Sequence, residues 1–166
     1  MNITFLGNNV TLNAEPLKVG DQVKDFTATD KDLNAVSLTD LGKGIKVLIT
    51  VPSLDTPVCD MEVRKFNVSL SKLTNVSAIY VVSMDLPFAQ SRFCTLAGID
   101  KLTFLSDYKD HSFAHATSTY VKELGLLTRS VLVIDEDNKV IYAQYLDEIT
   151  HEPNYEDVLE FLSKLK

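Results

Sequence analysis

Apolar positions follow two different periods along the chain, and together these periods predict a sheet with helices packed against it. Residues 45–51 form a nearly continuous apolar run, which is typical of a buried strand. Similar patterns predict strands over 76–83, 102–105, 130–134 and 139–145. Helical spacing predicts helices from Pro57 to about 73, over 87–97 and over 155–165, with a less regular helical stretch at 111–124.

The first 44 residues have a different character. Ile3, Phe5, Val10 and Leu12 alternate with polar residues around Gly7-Asn8-Asn9, which predicts a β-hairpin. A loop-rich stretch follows, in which Val23 and Phe26 are expected to anchor the core. The whole order is a hairpin, then β-α-β-α, then β-β-α. We therefore expect an α/β fold with a central mixed β-sheet flanked by helices on both faces.

The helix after the first buried strand carries a cysteine in its first turn. Thr56 is a suitable N-cap and Pro57 suits the first helical position, so Cys59 is predicted to be the third helical residue. Helix N-termini carry partial positive charge and unpaired N–H groups, which stabilise a thiolate over a thiol. The neighbouring carboxylate of Asp60 acts against this effect, and Arg64 is either a support for the site or a surface charge.

Length and charge narrow the class of protein. The 166 residues suggest a single domain, 1–166, and a net charge of −7 disfavours nucleic acid and anionic membranes as partners. No apolar stretch is long enough for a membrane span. The start of the chain lacks a basic segment followed by a long apolar run, so we expect no secretory signal and a cytoplasmic protein.

The chain has only two cysteines, Cys59 and Cys94. In a reducing compartment such a pair is more often catalytic or redox-active than structural. Both also fit a simpler interpretation, because Cys59 lies on the apolar stripe of its helix, Cys94 follows Phe93, and free cysteine is often buried. A disulfide needs Cα atoms within about 7 Å, so two cysteines in separate helices would require local unwinding to pair.

Several segments resemble a known family. Pro52-x-x-x-Thr56-x-x-Cys59 is similar to the peroxiredoxin active-site pattern. The longer string 52–59 with 63–67 after it, and then the segments 85–94, 128–131 and 148–155, resemble the bacterial thiol peroxidases in the same order along the chain. The chain is thereby identified as a member of this atypical two-cysteine peroxiredoxin subfamily.

The resemblance implies a thioredoxin-like fold and a peroxide-reducing cycle. Cys59 would attack hydrogen peroxide or an organic hydroperoxide to give a sulfenic acid, and Cys94 of the same chain would resolve it to a disulfide that thioredoxin reduces. Thr56 and Arg129 match the activating threonine and arginine of the family, and Pro52 matches its shielding proline. The resemblance also implies a homodimer and neither a metal nor an organic cofactor.

Two other functions fit parts of the sequence. A disulfide oxidoreductase would use two cysteines, but 35 positions separate Cys59 from Cys94, which is not the C-x-x-C spacing. A peroxide sensor would form the same disulfide to switch a partner. His111 and His115 have the i,i+4 spacing of metal ligands, but no cysteine lies near them in the sequence, and we do not expect a metal site there.

Overall fold

The computed structural model describes residues 1–165 and contains four α-helices and eleven strands in that range. The helices are α1 (Pro57–Leu70), α2 (Pro87–Ala97), α3 (Ser112–Thr117) and α4 (Tyr155–Ser163). The strands are β1 (Ile3–Phe5), β2 (Asn8–Val10), β3 (Thr27–Thr29), β4 (Ala35–Ser37), β5 (Lys46–Thr50), β6 (Ala78–Ser83), β7 (Thr103–Ser106), β8 (Tyr120–Val121), β9 (Leu126–Leu127), β10 (Ser130–Ile134) and β11 (Val140–Tyr145).

Seven strands form one mixed sheet in the order β11-β10-β5-β6-β7-β3-β4. The three strands β5, β6 and β7 run parallel, and β10 pairs antiparallel with both β5 and β11. Parallel pairing between consecutive strands needs a crossover, which α1 and α2 provide. The predicted α/β fold with a central mixed sheet is confirmed.

The central strands are buried on both faces, and alternate residues point into two different cores. One core contains Val47 and Ile49 from β5 and packs against α1 and α4. The other contains Leu48 from β5 and packs against α3 through Phe113. This arrangement explains the continuous apolar run in the sequence, because a strand covered on both faces has no polar side.

The structure differs from the sequence prediction in three short regions. The hairpin is present, but its turn is Leu6-Gly7, and Asn8 and Asn9 belong to β2. The loop-rich stretch contains β3, β4 and a 3₁₀-helix at Leu38–Leu41. The predicted helical stretch 111–124 is wrong after Thr117, because the left-handed backbone of Ser118 (φ 57°) ends α3 and β8 follows.

No helix within residues 1–165 is long and apolar enough to cross a membrane. The two histidines that have metal-ligand spacing, His111 and His115, stack on Tyr120 at ring-centroid distances of 5.7 and 5.3 Å. In the described part of the chain no group of three or more His, Cys, Asp or Glu side chains is arranged to hold a metal ion.

Candidate active site

Cys59 lies in the first turn of α1, at the end of the connection that leaves β5. Thr56 is the N-cap and Pro57 the first helical residue, as the sequence predicts. The Cys59 side chain is fully buried against the core that α1 shares with the sheet. Cys59 is therefore a core residue that also lies at a helix N-terminus.

Arg129 brings a positive charge to the sulfur from the chain segment just before β10. Its Nη2 donates to Cys59 Sγ at 3.2 Å, and its side chain is only 2% exposed. Nη1 donates to Glu62 Oε2 at 2.5 Å and Nε donates to the Ile149 carbonyl oxygen at 2.8 Å. Burial would lower the pKa of Arg129, but the charges of Glu62 and Cys59 outweigh it and raise that pKa. The guanidinium is therefore a fixed and permanent cation beside the sulfur.

Glu62 is a functional candidate that the sequence analysis did not identify. It is fully buried one helical turn after Cys59, so the two side chains share the face of α1 that meets Arg129. Its Oε1 atom has no hydrogen-bond partner among the described residues. Burial raises the pKa of Glu62 to about 7, although the Arg129 guanidinium acts in the opposite direction. The group can therefore change its charge near neutral pH, in direct contact with the cation that touches Cys59.

Replacing Glu62 with glutamine is expected to change how stability depends on pH. The folded-state pKa of about 7 exceeds the ordinary value of 4.5, so between these pH values the folded chain holds more protons than the unfolded chain. The free energy of unfolding of the wild type should therefore fall by up to about 3 kcal/mol as pH rises through this window. Urea unfolding at several pH values should show this fall in the wild type and lose it in E62Q. Equal slopes would contradict the assignment.

Thr56 and Pro52 lie in the same connection but make different contacts from Arg129. The Thr56 hydroxyl donates to the Ser53 carbonyl oxygen at 2.9 Å, and it makes no hydrogen bond to Cys59. Pro52 is buried and Thr56 is exposed, so one faces the core and the other faces the surface of the turn. The structure thus brings Arg129 into contact with the sulfur. Thr56 lies in the turn that precedes Cys59, and its hydroxyl proton is donated to Ser53.

Asp85 connects this turn to the start of α2. Its carboxylate accepts hydrogen bonds from Ser53 Oγ at 2.7 Å, from the Leu54 amide at 2.8 Å and from Ser83 Oγ at 2.8 Å. The Asp85 carbonyl in turn accepts from Ser106 Oγ at 2.5 Å. The sequence analysis included Asp85 only as the first residue of the family-like segment 85–94. In the structure it fixes the turn that precedes Cys59 to the ends of two neighbouring strands.

Cys94 lies in the middle of α2 and is a free thiol, as is Cys59. It is partly exposed, and burial raises its pKa to about 11. Two clefts flank α2. The first, of about 460 Å³, is lined by Leu54, Asp55, Thr56, Pro57, Asp60, Arg64, Ala89, Arg92, Phe93 and Leu96. The second, of about 580 Å³, includes Gln90, Ser91, Cys94 and Thr95. Cys94 therefore faces the other side of α2 from the cleft beside the Cys59 turn.

Arg64 joins the two helices that carry the cysteines. It pairs with Asp60 on α1, lies over the Phe93 ring at 5.9 Å and donates to the Ala97 carbonyl oxygen at 3.5 Å. The guanidinium neutralises the Asp60 carboxylate, which the sequence analysis expected to oppose a thiolate. Arg64 is exposed, and its polar partners are Asp60 and the Ala97 carbonyl oxygen, so it bridges α1 and α2 at the surface.

A buried cysteine at a helix N-terminus, in contact with a guanidinium beside a central strand of a mixed sheet, is the arrangement expected of a thiol-based oxidoreductase. The comparisons with known proteins agree. The Redoxin family profile matches residues 18–159. A thiol peroxidase of Clostridium acetobutylicum is 51% identical over 160 residues, which cover 96% of each chain. A thiol peroxidase of Bacillus subtilis is 49% identical over 95% of this chain and 94% of its own.

Solved structures show the same relationship. The peroxiredoxin-like protein of Aquifex aeolicus superposes with a TM-score of 0.90 at 39% identity, over 99% of this chain and 97% of that one. A thiol peroxidase of Chromobacterium violaceum has a TM-score of 0.88 at 15% identity, which shows the shared fold. The chain belongs to the redoxin family, and within that family it is a thiol peroxidase of the peroxiredoxin class.

Proposed function

We propose that this peroxidase reduces hydrogen peroxide and organic hydroperoxides through an intrachain cycle of its two cysteines. The Cys59 thiolate attacks one peroxide oxygen, the O–O bond breaks, and the departing oxygen leaves as an alkoxide or hydroxide that takes up a proton. Cys59 is thereby oxidised to a sulfenic acid. The Cys94 thiol then condenses with it, releasing water and forming a disulfide. Thioredoxin reduces that disulfide by thiol–disulfide exchange and becomes oxidised itself.

The contact between Arg129 Nη2 and Cys59 Sγ, at 3.2 Å, is the observation that best supports the first step. A buried guanidinium favours the thiolate before the reaction. It also stabilises the negative charge that develops on the departing oxygen, and its three fixed contacts mean that little reorganisation is needed. Full burial of the sulfur excludes bulk water, which strengthens both interactions.

Thr56 and Pro52 have complementary roles in this proposal. Because the Thr56 hydroxyl donates its proton to Ser53, its lone pairs remain to accept a hydrogen bond from the O–H of the incoming peroxide. Thr56 thus orients the substrate and does not act as a donor to the thiolate. Pro52 is buried and has no N–H, so it helps to keep water from the sulfur.

The second step requires a change in conformation. Cys94 lies within α2 and lines the cleft on the other side of that helix from the Cys59 turn. Its pKa of about 11 keeps it a thiol while α2 is intact. Local unwinding of α2 would release Cys94 toward Cys59 and also expose it to water, which brings its pKa down toward the ordinary range. The unwinding that brings Cys94 to Cys59 therefore also makes its thiol easier to ionise.

Coupled turnover tests this proposal against the sensor alternative. With thioredoxin, thioredoxin reductase and NADPH present, the protein should consume many peroxide molecules per chain, because each disulfide is reduced and returned to the cycle. A peroxide sensor would stop near one peroxide per chain. A disulfide oxidoreductase would reduce disulfide substrates without peroxide, and in that case the peroxidatic cycle would be wrong.

The same proposal includes a homodimer in the cytoplasm, acting without nucleic acid or a membrane. Leu86, Phe88 and Leu96 on and beside α2 are 51, 66 and 78% exposed, and exposed apolar side chains grouped on one helix are typical of an interaction surface. A second copy covering α2 would bury it. The net charge of −7 disfavours a polyanionic partner, and a chain with only two cysteines fits a reducing compartment.

A further inference from the structure

The Arg129 guanidinium depends on a third contact that lies outside the helices and the main sheet. Two of its partners, Cys59 and Glu62, lie on α1. The third is the carbonyl oxygen of Ile149, in the segment that follows β11, which accepts a hydrogen bond from Arg129 Nε. A guanidinium is planar, so the direction of the Nε–H bond sets the direction in which Nη2 points. The placement of the Ile149 carbonyl therefore controls how well Arg129 reaches the sulfur.

The N-terminal hairpin holds this carbonyl in place. The Thr4 amide donates to the Asp147 carbonyl oxygen at 2.7 Å, and the Ile149 amide donates to the Thr4 carbonyl oxygen at 2.9 Å. Thr4 thus forms a parallel bridge with Glu148, one residue before Ile149. The Ile149 side chain is buried against Ile3 from the same strand of the hairpin. The segment 147–150 is fixed chiefly by β1.

The Glu148 carboxylate also joins the hairpin to the segment 147–150, through side-chain hydrogen bonds. Its Oε2 accepts from Thr4 Oγ1 at 2.6 Å and from the Gly7 amide at 3.1 Å. Its Oε1 accepts from the Leu6 amide at 2.9 Å and from the Thr150 amide and hydroxyl at 3.2 and 2.7 Å. The hydroxyl of Thr4, followed by that of Thr150, lowers the pKa of Glu148 below its ordinary range. Both oxygens of an ionised carboxylate are therefore used.

The turn that Glu148 holds needs this support. Leu6 and Gly7 both have positive φ, 52° and 80°, and a leucine rarely adopts that conformation. Their two amides converge on the Glu148 carboxylate, one on each oxygen. In a glutamine at position 148, an NH2 group would replace one of the two carboxylate oxygens. The amides and hydroxyls that donate to that oxygen would then face another donor, so the turn and the segment 147–150 would separate or shift.

We propose that Glu148 is a positioning residue for Cys59: by joining the hairpin to the segment 147–150, it places the Ile149 carbonyl that aims Arg129 at the sulfur. The effect of Glu148 on peroxide reduction rests on the proposed function of Cys59. The contact between Arg129 and Cys59 can nevertheless be measured without peroxide, so the two can fail separately.

The test follows the Cys59 thiolate by its ultraviolet absorbance as pH is raised, in a C94S background that leaves a single cysteine thiol. In E148Q, the pH at which the thiolate appears should rise by about one pH unit, because a charged hydrogen bond to the thiolate is weakened. The rate constant of Cys59 with hydrogen peroxide should fall about tenfold, since a misplacement of about 1 Å can cost about a hundredfold and we expect a smaller shift here. An E148Q protein that matches the wild type in both measurements would overturn the proposal.

Glu123 offers a matched control. It is an exposed carboxylate whose described side-chain hydrogen bond goes to the Thr11 amide at 2.8 Å, just after the second strand of the same hairpin. E123Q also removes a carboxylate that accepts from a backbone amide, but it leaves the segment 147–150 untouched. We expect the thiolate titration of E123Q to equal that of the wild type. Equal shifts in E148Q and E123Q would show a general effect of the hairpin and would contradict a specific role for Glu148.

A second background shows whether Glu148 acts through Arg129. The double variant R129Q/E62Q removes the buried ion pair as a unit, which avoids leaving one charge unpaired. In this background, adding E148Q should produce no further shift of the thiolate titration, because the arginine through which Glu148 affects the sulfur has been removed. A shift as large as in the presence of Arg129 would overturn the proposed route. If C59S retains peroxidase activity while these titrations behave as expected, the proposed function fails and the positioning role stands.

Discussion

Replacing Cys59 with serine is expected to abolish peroxide consumption, with a loss of more than about a thousandfold. A serine hydroxyl is not ionised near neutral pH, so the nucleophile disappears. The remaining cysteine cannot substitute for it, since the pKa of Cys94 is raised to about 11 and only about one molecule in ten thousand holds the thiolate at pH 7. Peroxide consumption with thioredoxin and its reductase measures this loss directly.

The fold of C59S needs its own check, because the site is buried. A serine hydroxyl can still accept the hydrogen bond from Arg129 Nη2, so circular dichroism and urea unfolding should resemble those of the wild type. C94S, which keeps the sulfur at position 59, is the matched comparison for the first turnover. Substantial peroxidase activity in a folded C59S protein would show that another group attacks the peroxide.

Replacing Cys94 with serine should separate the two halves of the cycle. The first peroxide is reduced at the normal rate, because Cys94 lies away from the Cys59 turn on the other side of α2. The sulfenic acid then has no partner thiol, so thioredoxin-driven turnover should fall to nearly zero. Mass measurement of the treated protein should show added oxygen on Cys59. Full cycling of C94S with thioredoxin would contradict the resolving role.

The larger elements of the fold could be predicted because their periods are regular. The structure confirms β10 and α2 with the predicted bounds, and the other long elements differ by only a few residues at their ends. The three-residue strands β3 and β4 were missed because so short a segment shows no period. The end of α3 was missed because the left-handed backbone at Ser118 leaves no mark in a sequence of ordinary residues.

The site was predictable to the extent that local sequence determines it. The position of Cys59 in the first turn of a helix follows from Thr56 and Pro57. Arg129 is 70 positions further along the chain. Only the family resemblance pointed to it, since a contact at that range depends on the fold. Glu62 could have been recognised as a carboxylate on the apolar stripe of α1. Glu148 begins the segment 148–155 that carries part of the resemblance, but its role could not be predicted because it depends on how the hairpin packs against that segment.

The most direct test of the account is the mass of the wild-type chain after treatment with one equivalent of peroxide. We predict the loss of two hydrogens, and digestion without reductant should give one linked pair of peptides containing Cys59 and Cys94 from the same chain. Thioredoxin should restore the original mass. A product in which Cys59 gains oxygen and Cys94 stays an unlinked thiol, or in which the bridge joins two chains, would contradict the intrachain cycle.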